Sequence, residues 1–179
     1  MSISSGLTIA CDDENRRGGV KTLWLTERVN IVDFTPGVSD HEYTAVELTG
    51  TPVQFYKFDF TDFSGGAGSE GSIENGSDSQ AVSLEFHIPK MDKIKATTLN
   101  CLKQSCKVVA IYEDFNKKFF VAGFDEVIEE KAALEVAVNE LGGTALQDEN
   151  GYVILLTGEA ADLQREFTGD TTNATIFQQ

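Results

Sequence analysis

The stretch from Val53 to Met91 constrains the fold of this chain more than any other. It opens on an aromatic alternating segment, Val53-Gln54-Phe55-Tyr56-Lys57-Phe58-Asp59-Phe60, and closes on a second, Ala81 to Ile88. In the second, Val82, Leu84, Phe86 and Ile88 alternate with Ser83, Glu85 and His87. That period of two places one face on a core and the other toward solvent. In the first, Gln54, Tyr56, Phe58 and Phe60 share one face and Val53, Phe55, Lys57 and Asp59 the other. The two segments read as partner strands. Between them runs Ser64 to Gln80, rich in Gly and Ser and without a lysine or arginine. A polar arm of this length has little of its own to bury, so it is expected to be flexible alone and to order on a neighbouring subunit. The contact residues assigned to it are Ser64, Gly65, Gly66, Gly68, Ser69, Glu70, Ile73 and Asn75. The competing expectation is a hairpin loop lying in solvent.

Strand signals dominate the rest of the chain. Leu7 to Ala10 is a short candidate, and Val20 to Leu25 is apolar on both faces, which predicts a strand covered on both sides. Val29 to Phe34 stops at the turn signal Pro36-Gly37, and Thr44 to Leu48 follows. Met91 to Cys106 is the one convincing helix, with Pro89 just before it and Lys103 and Lys107 near its C-terminal end to suit the helix dipole. Val108 to Tyr112 and Phe119 to Phe124 read as a hairpin. Leu134 to Asn139 reads as strand, against a helical turn over Glu129 to Leu134. Tyr152 to Thr157 is the last strong strand. Ala160 to Phe167 is a short helix or an edge strand, and Thr168 to Gln179 is a polar tail expected to be mobile unless a neighbour orders it. The reading is therefore one β-rich domain over residues 1–179, an antiparallel β-sandwich or barrel with one flanking α-helix and a long flexible hairpin arm at 64–80.

The chemistry-bearing residues point away from catalysis. Twenty-nine acidic residues stand against fourteen basic ones, a net charge of −15 that argues against attraction to nucleic acid or an anionic membrane. No apolar run reaches the roughly 18 residues that span a bilayer. The N-terminus lacks the basic and apolar regions of a secretory signal, so synthesis in the cytoplasm is expected. Cys11, Cys101 and Cys106 lack metal-ligand spacing and read as reduced thiols. His41 and His87 belong to no metal or nucleophile motif, and acidic pairs such as Asp125-Glu126 follow from composition. Gly65 to Gly71 lacks the order and the basic residue of a phosphate cradle. No catalytic, cofactor-binding or metal-ligating residue is assigned, and the chain is read as a non-enzyme.

Two further stretches carry a resemblance. One is Phe119-Phe120-Val121-Ala122-Gly123 with the run Gly142-Gly143-Thr144-Ala145-Leu146-Gln147-Asp148-Glu149-Asn150-Gly151-Tyr152-Val153-Ile154-Leu155-Leu156-Thr157-Gly158-Glu159-Ala160. The other is Ser4-Ser5-Gly6-Leu7-Thr8-Ile9-Ala10-Cys11 followed by Gly18-Gly19-Val20-Lys21. Together they resemble the closing and opening regions of virion structural proteins from tailed bacteriophages of Bacteroidetes-type hosts. The resemblance implies a tail-tube-like fold and a tail-tube or neck/connector role. It implies a homo-oligomeric ring, with six copies as the expectation, that stacks on other rings and meets adjacent tail or neck proteins. DNA would pass through without sequence-specific binding, and no membrane partner is implied. The protein would reside in the virion tail after synthesis in the host bacterial cytoplasm. The rivals from other classes are a monomeric carbohydrate-binding or adhesion β-sandwich and a small hydrolase using a carboxylate pair.

Overall fold

A computed structural model of the chain describes residues 18–39, 41–50, 53–74, 77–105, 107–145 and 148–178. The strand expected at 7–10, and residues Cys11, Asn75 and Cys106, lie outside them. The first strands are β1 (Val20–Glu27), β2 (Ile31–Pro36), β3 (Glu42–Leu48) and β4 (Tyr56–Phe58). A long hairpin follows, β5 (Gly66–Glu74) and β6 (Ser77–Pro89), and then the helix α1 (Lys93–Gln104). The remaining strands are β7 (Val108–Asp114), β8 (Phe119–Ala122), β9 (Glu135–Leu141), β10 (Gly151–Ala160) and β11 (Glu166–Phe167).

The apolar run of β7 shows how the layers arise. Val108, Ala110 and Tyr112 enter one core while Val109 and Ile111 enter another, so this strand is buried on both faces. β1, its antiparallel neighbour, does the same with Leu23 and Leu25 against Trp24. Val20 joins the face of Leu23 and Leu25 because a bulge between Val20 and Thr22 resets the alternation. Both strands sit inside a seven-stranded sheet of order β2-β3-β11-β8-β7-β1-β4. A four-stranded sheet of order β5-β6-β10-β9 packs on one face of it. Val82, Leu84, Phe86 and Ile88 of β6 and Tyr152, Ile154 and Leu156 of β10 meet Leu23, Leu25 and Ala110 there. The result is mainly β and sandwich-like, its strands antiparallel except for the β3–β11 pair, with one further parallel bridge between Phe55 and Phe177.

The second core lies on the other face of the large sheet. Trp24 of β1, Phe34 of β2, Tyr43 of β3 and Ile111 of β7 share it, so strands from both ends of that sheet curl around one interior. Phe55 and Phe177 close it, stacked with ring centroids 5.3 Å apart, and both are wholly buried. Backbone bonds lock the tail in place: Phe55 N donates to Ile176 O at 2.7 Å and Gln178 N to Phe55 O at 2.8 Å. The Trp24 indole N–H adds a bond to Gln178 O at 3.2 Å. The tail is thus ordered by the chain's own core, because one aromatic anchor in a polar segment is worth about 1.5–3 kcal/mol on burial.

The region from Val53 to Met91 folds differently from its sequence reading. The aromatic segment is not the partner of Ala81 to Ile88. Only Tyr56–Phe58 forms a strand, and it pairs with β1 at the edge of the other sheet, Leu25 opposite Tyr56 and Leu23 opposite Phe58. The Gly/Ser-rich run is itself the partner of β6, in continuous antiparallel register from Gly66 opposite Glu85 to Glu74 opposite Ser77. The cause is that a strand edge needs N–H and C=O partners, which any backbone supplies, while weak β propensity yields to context.

The helix starts four residues after Pro89, which ends β6. Its N-cap is Asp92, whose carboxylate accepts from Ile94 N and Lys95 N, each at 2.9 Å. The bond from Lys95 N is the main reason that carboxyl titrates below the usual range. Leu99 is the buried helix residue, in the inter-sheet core with Val136 and Val138 of β9. Residues 129–132 form a short 3-10 turn, and of the 160–167 segment Ala160 ends β10 and Glu166–Phe167 is the strand β11, with no helix between them. Among the described residues, no helix is long and apolar enough to cross a membrane.

Candidate functional site

The expected contact residues are distributed along β5 and its entry. Ser64 ties the entry down: its hydroxyl donates to Thr61 O at 2.7 Å and accepts from His87 N at 3.3 Å. Gly65 is buried, accepts a bond from Val20 N at 2.9 Å, and has no room for a Cβ, which would meet the Phe60 ring at 2.7 Å. These two residues are structural. From Gly66 onward β5 is the end strand of its sheet. Gly66, Gly68 and Glu70 alternate onto the face shared with Glu85, Ser83 and Ala81, and a Cβ at Gly66 or Gly68 would meet open space. Ser69 and Ile73 fall on the opposite face, across from Val82 and Asp78. The sheet therefore divides the expected set between two faces, with Asn75 beyond the described residues.

The hairpin outlasts the sheet that supports it. The last β10 rung is Ala160 opposite Gln80, yet β5 and β6 stay paired through Ser72–Ser79, Ile73–Asp78 and Glu74–Ser77. This two-stranded tip carries Ile73 with 78% of its surface exposed. The edge of β5 has neither lysine nor proline nor bulge to blunt it, which leaves a row of backbone donors and acceptors open to another strand.

Charge is segregated. β5, β6, β9 and β10 contain no lysine or arginine, but they carry Glu70, Glu74, Asp78, Glu85, Glu135, Glu140 and Glu159. Lysines gather instead around the helix, at Lys90, Lys93, Lys95, Lys103 and Lys107. His87 lies beside two carboxylates, Nε2 3.3 Å from Glu85 Oε1 and Nδ1 3.5 Å from Glu149 Oε2. Among the described residues, no His, Cys, Asp and Glu side chains group so as to hold a metal ion.

A second feature escapes the sequence reading. The Thr61–Ser64 turn, closed by a 3.1 Å bond from Ser64 N to Thr61 O, holds Phe63 at φ +62°. Glycine or asparagine is the usual occupant of that position, and a residue with a Cβ costs roughly 1–2 kcal/mol there. The Phe63 ring is nevertheless 83% exposed, stacked on Phe115 at 5.3 Å and 18°. The two rings wall a cleft of about 170 Å³ with Phe60, Lys21, Lys57, Asp59 and Asp62. Lys21 bonds the nearly buried Glu113 at 2.7 Å, and Lys57 lies 3.8 Å from Asp59. The sequence signal is slight: a phenylalanine in a turn position that favours glycine, visible only once the turn is known.

Two tyrosines hold the frame behind these surfaces. Burial pushes the Tyr43 hydroxyl up to about 12, opposed by the Arg165 guanidinium that sits 5.0 Å over its ring. Burial raises Tyr112 further still, and its hydroxyl donates to Gln164 Oε1. No protein-family model matches the chain, and neither a curated protein nor a solved structure does.

Proposed function

We propose that this chain is a non-enzymatic structural subunit of a phage tail, which assembles into rings that stack into a tube for DNA passage. The observation that carries this reading is the unfinished four-stranded sheet. Its strands alternate in direction through β5, β6, β10 and β9, so its two end strands run oppositely. β9 of one rotated copy can therefore meet β5 of the next in antiparallel register, and repeated rotation closes a ring from identical head-to-tail contacts. Leu99 shares the inter-sheet core with Val136 and Val138 of β9.

The charge pattern supports the same reading. The strands of that sheet contribute no lysine or arginine, and Lys107, which reaches its outer face, is paired with Glu135 at 3.7 Å, so the face offers DNA few phosphate contacts and little to hold it. The resemblance of residues 119–123 and 142–160 to phage virion proteins supplies the biological setting. Electron microscopy and sedimentation of the purified chain test it. Rings or tubes are expected; a strictly monomeric particle at high concentration overturns the reading, and retention of that monomer on glycan arrays would support a carbohydrate-binding sandwich instead.

A further inference from the structure

We infer the register of the strand joint between neighbouring copies: β9 of one copy lies on β5 of the next with Leu141 opposite Gly66 and Glu135 opposite Ser72. The inference rests on the ring reading above and adds the rungs that make the contact. In an antiparallel ladder a residue turns both its N–H and its C=O to one neighbour, and the next residue turns both to the other. The bonds at the foot of each open edge therefore set its phase. Gly65, just before β5, accepts from Val20 N at 2.9 Å, so Ala67, Ser69 and Gly71 in turn direct their backbone groups away from β6. Leu134, just before β9, exchanges bonds of 2.9 and 2.8 Å with Val108, so Val136, Val138 and Glu140 direct theirs away from β10. A third bond gives the same answer from the middle of the sheet. Lys90 N donates to Asn150 O, one rung beyond Pro89 opposite Gly151, which makes the even-numbered residues of β6 and β10 partners of each other. Their odd-numbered residues then bond Gly66, Gly68 and Glu70 on one side and Glu135, Ala137 and Asn139 on the other.

Phase, face and charge together leave one register. The residues that bond outward are also those whose side chains point to the inter-sheet side: Ala67 and Ser69 lie across from Leu84 and Val82, and Val136 and Val138 pack on the core. Bonding and face therefore agree that odd-numbered residues of β5 pair with even-numbered residues of β9, and a slip of one residue breaks both. Pairing all seven residues of β9 within the nine of β5 then allows two registers. One of them sets Glu74 opposite Glu135, two like charges on directly facing residues, which is unfavourable. In the other, Glu135 faces Ser72, Glu70 faces Ala137, and no carboxylate faces another. Sliding two residues beyond the first loses rungs past Glu74, where β5 ends. Sliding two beyond the second sets Glu70 against Glu135 and runs Glu140 onto Gly65, whose carbonyl Val20 already holds.

Cysteine cross-linking of the full chain tests the register. Gly68→Cys and Asn139→Cys in one chain place a thiol on each side of a single rung, at a glycine with open space around its Cβ and at an exposed side chain. This rung is a non-hydrogen-bonded pair, whose Cα atoms lie about 4.5 Å apart, within reach of a disulfide. Mild oxidation of assembled rings should turn their subunits into a covalent ladder on a non-reducing gel, up to the full ring, and reductant should collapse it to one band. Glu70→Cys with Asn139→Cys reports the rejected register. At the proposed one these two positions are diagonal neighbours, roughly 7–8 Å apart and too far to bridge. The single variants, which keep the native cysteines, set the background, and circular dichroism checks that each variant folds. A ladder from the second pair, or from neither pair in rings that do form, overturns the register and leaves the ring reading standing. A wild-type chain that stays monomeric overturns both.

Discussion

The two sheets of this molecule are finished to different degrees. The seven-stranded sheet ends in short strands, β4 of three residues and β2 terminated by Pro36, and it curls around an interior that the chain's own tail seals with Phe177. The four-stranded sheet buries one face just as well, through Phe86, Ile154 and Leu156, but ends in a nine-residue strand of small and acidic residues that nothing in the described chain covers. A sheet whose edges are managed is a stability device, whereas one with a long open edge is an interface or an aggregation hazard. The contrast places the stability of the chain in the large sheet and its tail, and the open edge of the small sheet is the surface on which the proposed assembly rests.

The sharpest way to break that division is Phe177→Ala. Phe177 contacts Trp24, Phe55 and Phe167 through ring packing and is wholly buried, so its truncation should cost about 3–5 kcal/mol of unfolding free energy. Urea denaturation of the monomer measures it. A loss below about 1 kcal/mol would mean that the tail is an accessory, and that the large sheet is not sealed from within.

An alkaline titration probes the same sheet more gently. Tyr43 has its folded pKa raised from 10.0 to about 12, chiefly by burial. Between those values the unfolded chain has released this proton and the folded one still holds it. Stability is therefore fully present below pH 10 and falls as pH rises toward 12, by up to about 2 kcal/mol. Tyr43→Phe should flatten part of that slope; Tyr112, whose hydroxyl is also raised by burial, and Lys118, raised by its bond to Glu166, contribute to what remains. An identical slope in the variant would place the alkaline sensitivity elsewhere.

Much of this division could be read in the sequence, but unevenly. The alternation of Val82, Leu84, Phe86 and Ile88 marked a strand with one buried face, and the two apolar faces of Val20 to Leu25 marked a strand covered twice. Side-chain pattern reports burial, and those readings depended on burial alone. It does not report which backbone completes which edge, so the Gly/Ser run reads as an arm, whereas Gly66–Glu74 forms β5 and residues 77–80 open β6. The tail was misjudged because a single phenylalanine among polar residues gives no period to detect. Of the residues expected to make subunit contacts, Ile73 and Glu70 are exposed on the hairpin, whereas Ser64 and Gly65 tie its entry to the fold; the Phe63–Phe115 pair is not legible in the sequence because residues 52 apart meet only after folding.

Within the hairpin, two glycines three residues apart should separate the regimes at the smallest scale. A methyl group at Gly65 meets the Phe60 ring at 2.7 Å and Val20 Cβ at 3.0 Å, so Gly65→Ala overpacks the junction between the sheets and should cost about 1–2 kcal/mol. At Gly68 the same methyl meets nothing within 4 Å, on a strand whose φ needs no glycine. There the substitution only restricts the unfolded chain, and Gly68→Ala should raise monomer stability by about 0.5 kcal/mol. Parallel urea curves for the two variants decide it. If both destabilise, the edge strand is packed like the core and its openness is illusory. If Gly68→Ala stabilises as expected, glycine at that position is not there for the stability of the isolated chain, and the edge strand and the buried junction answer to different constraints within one hairpin.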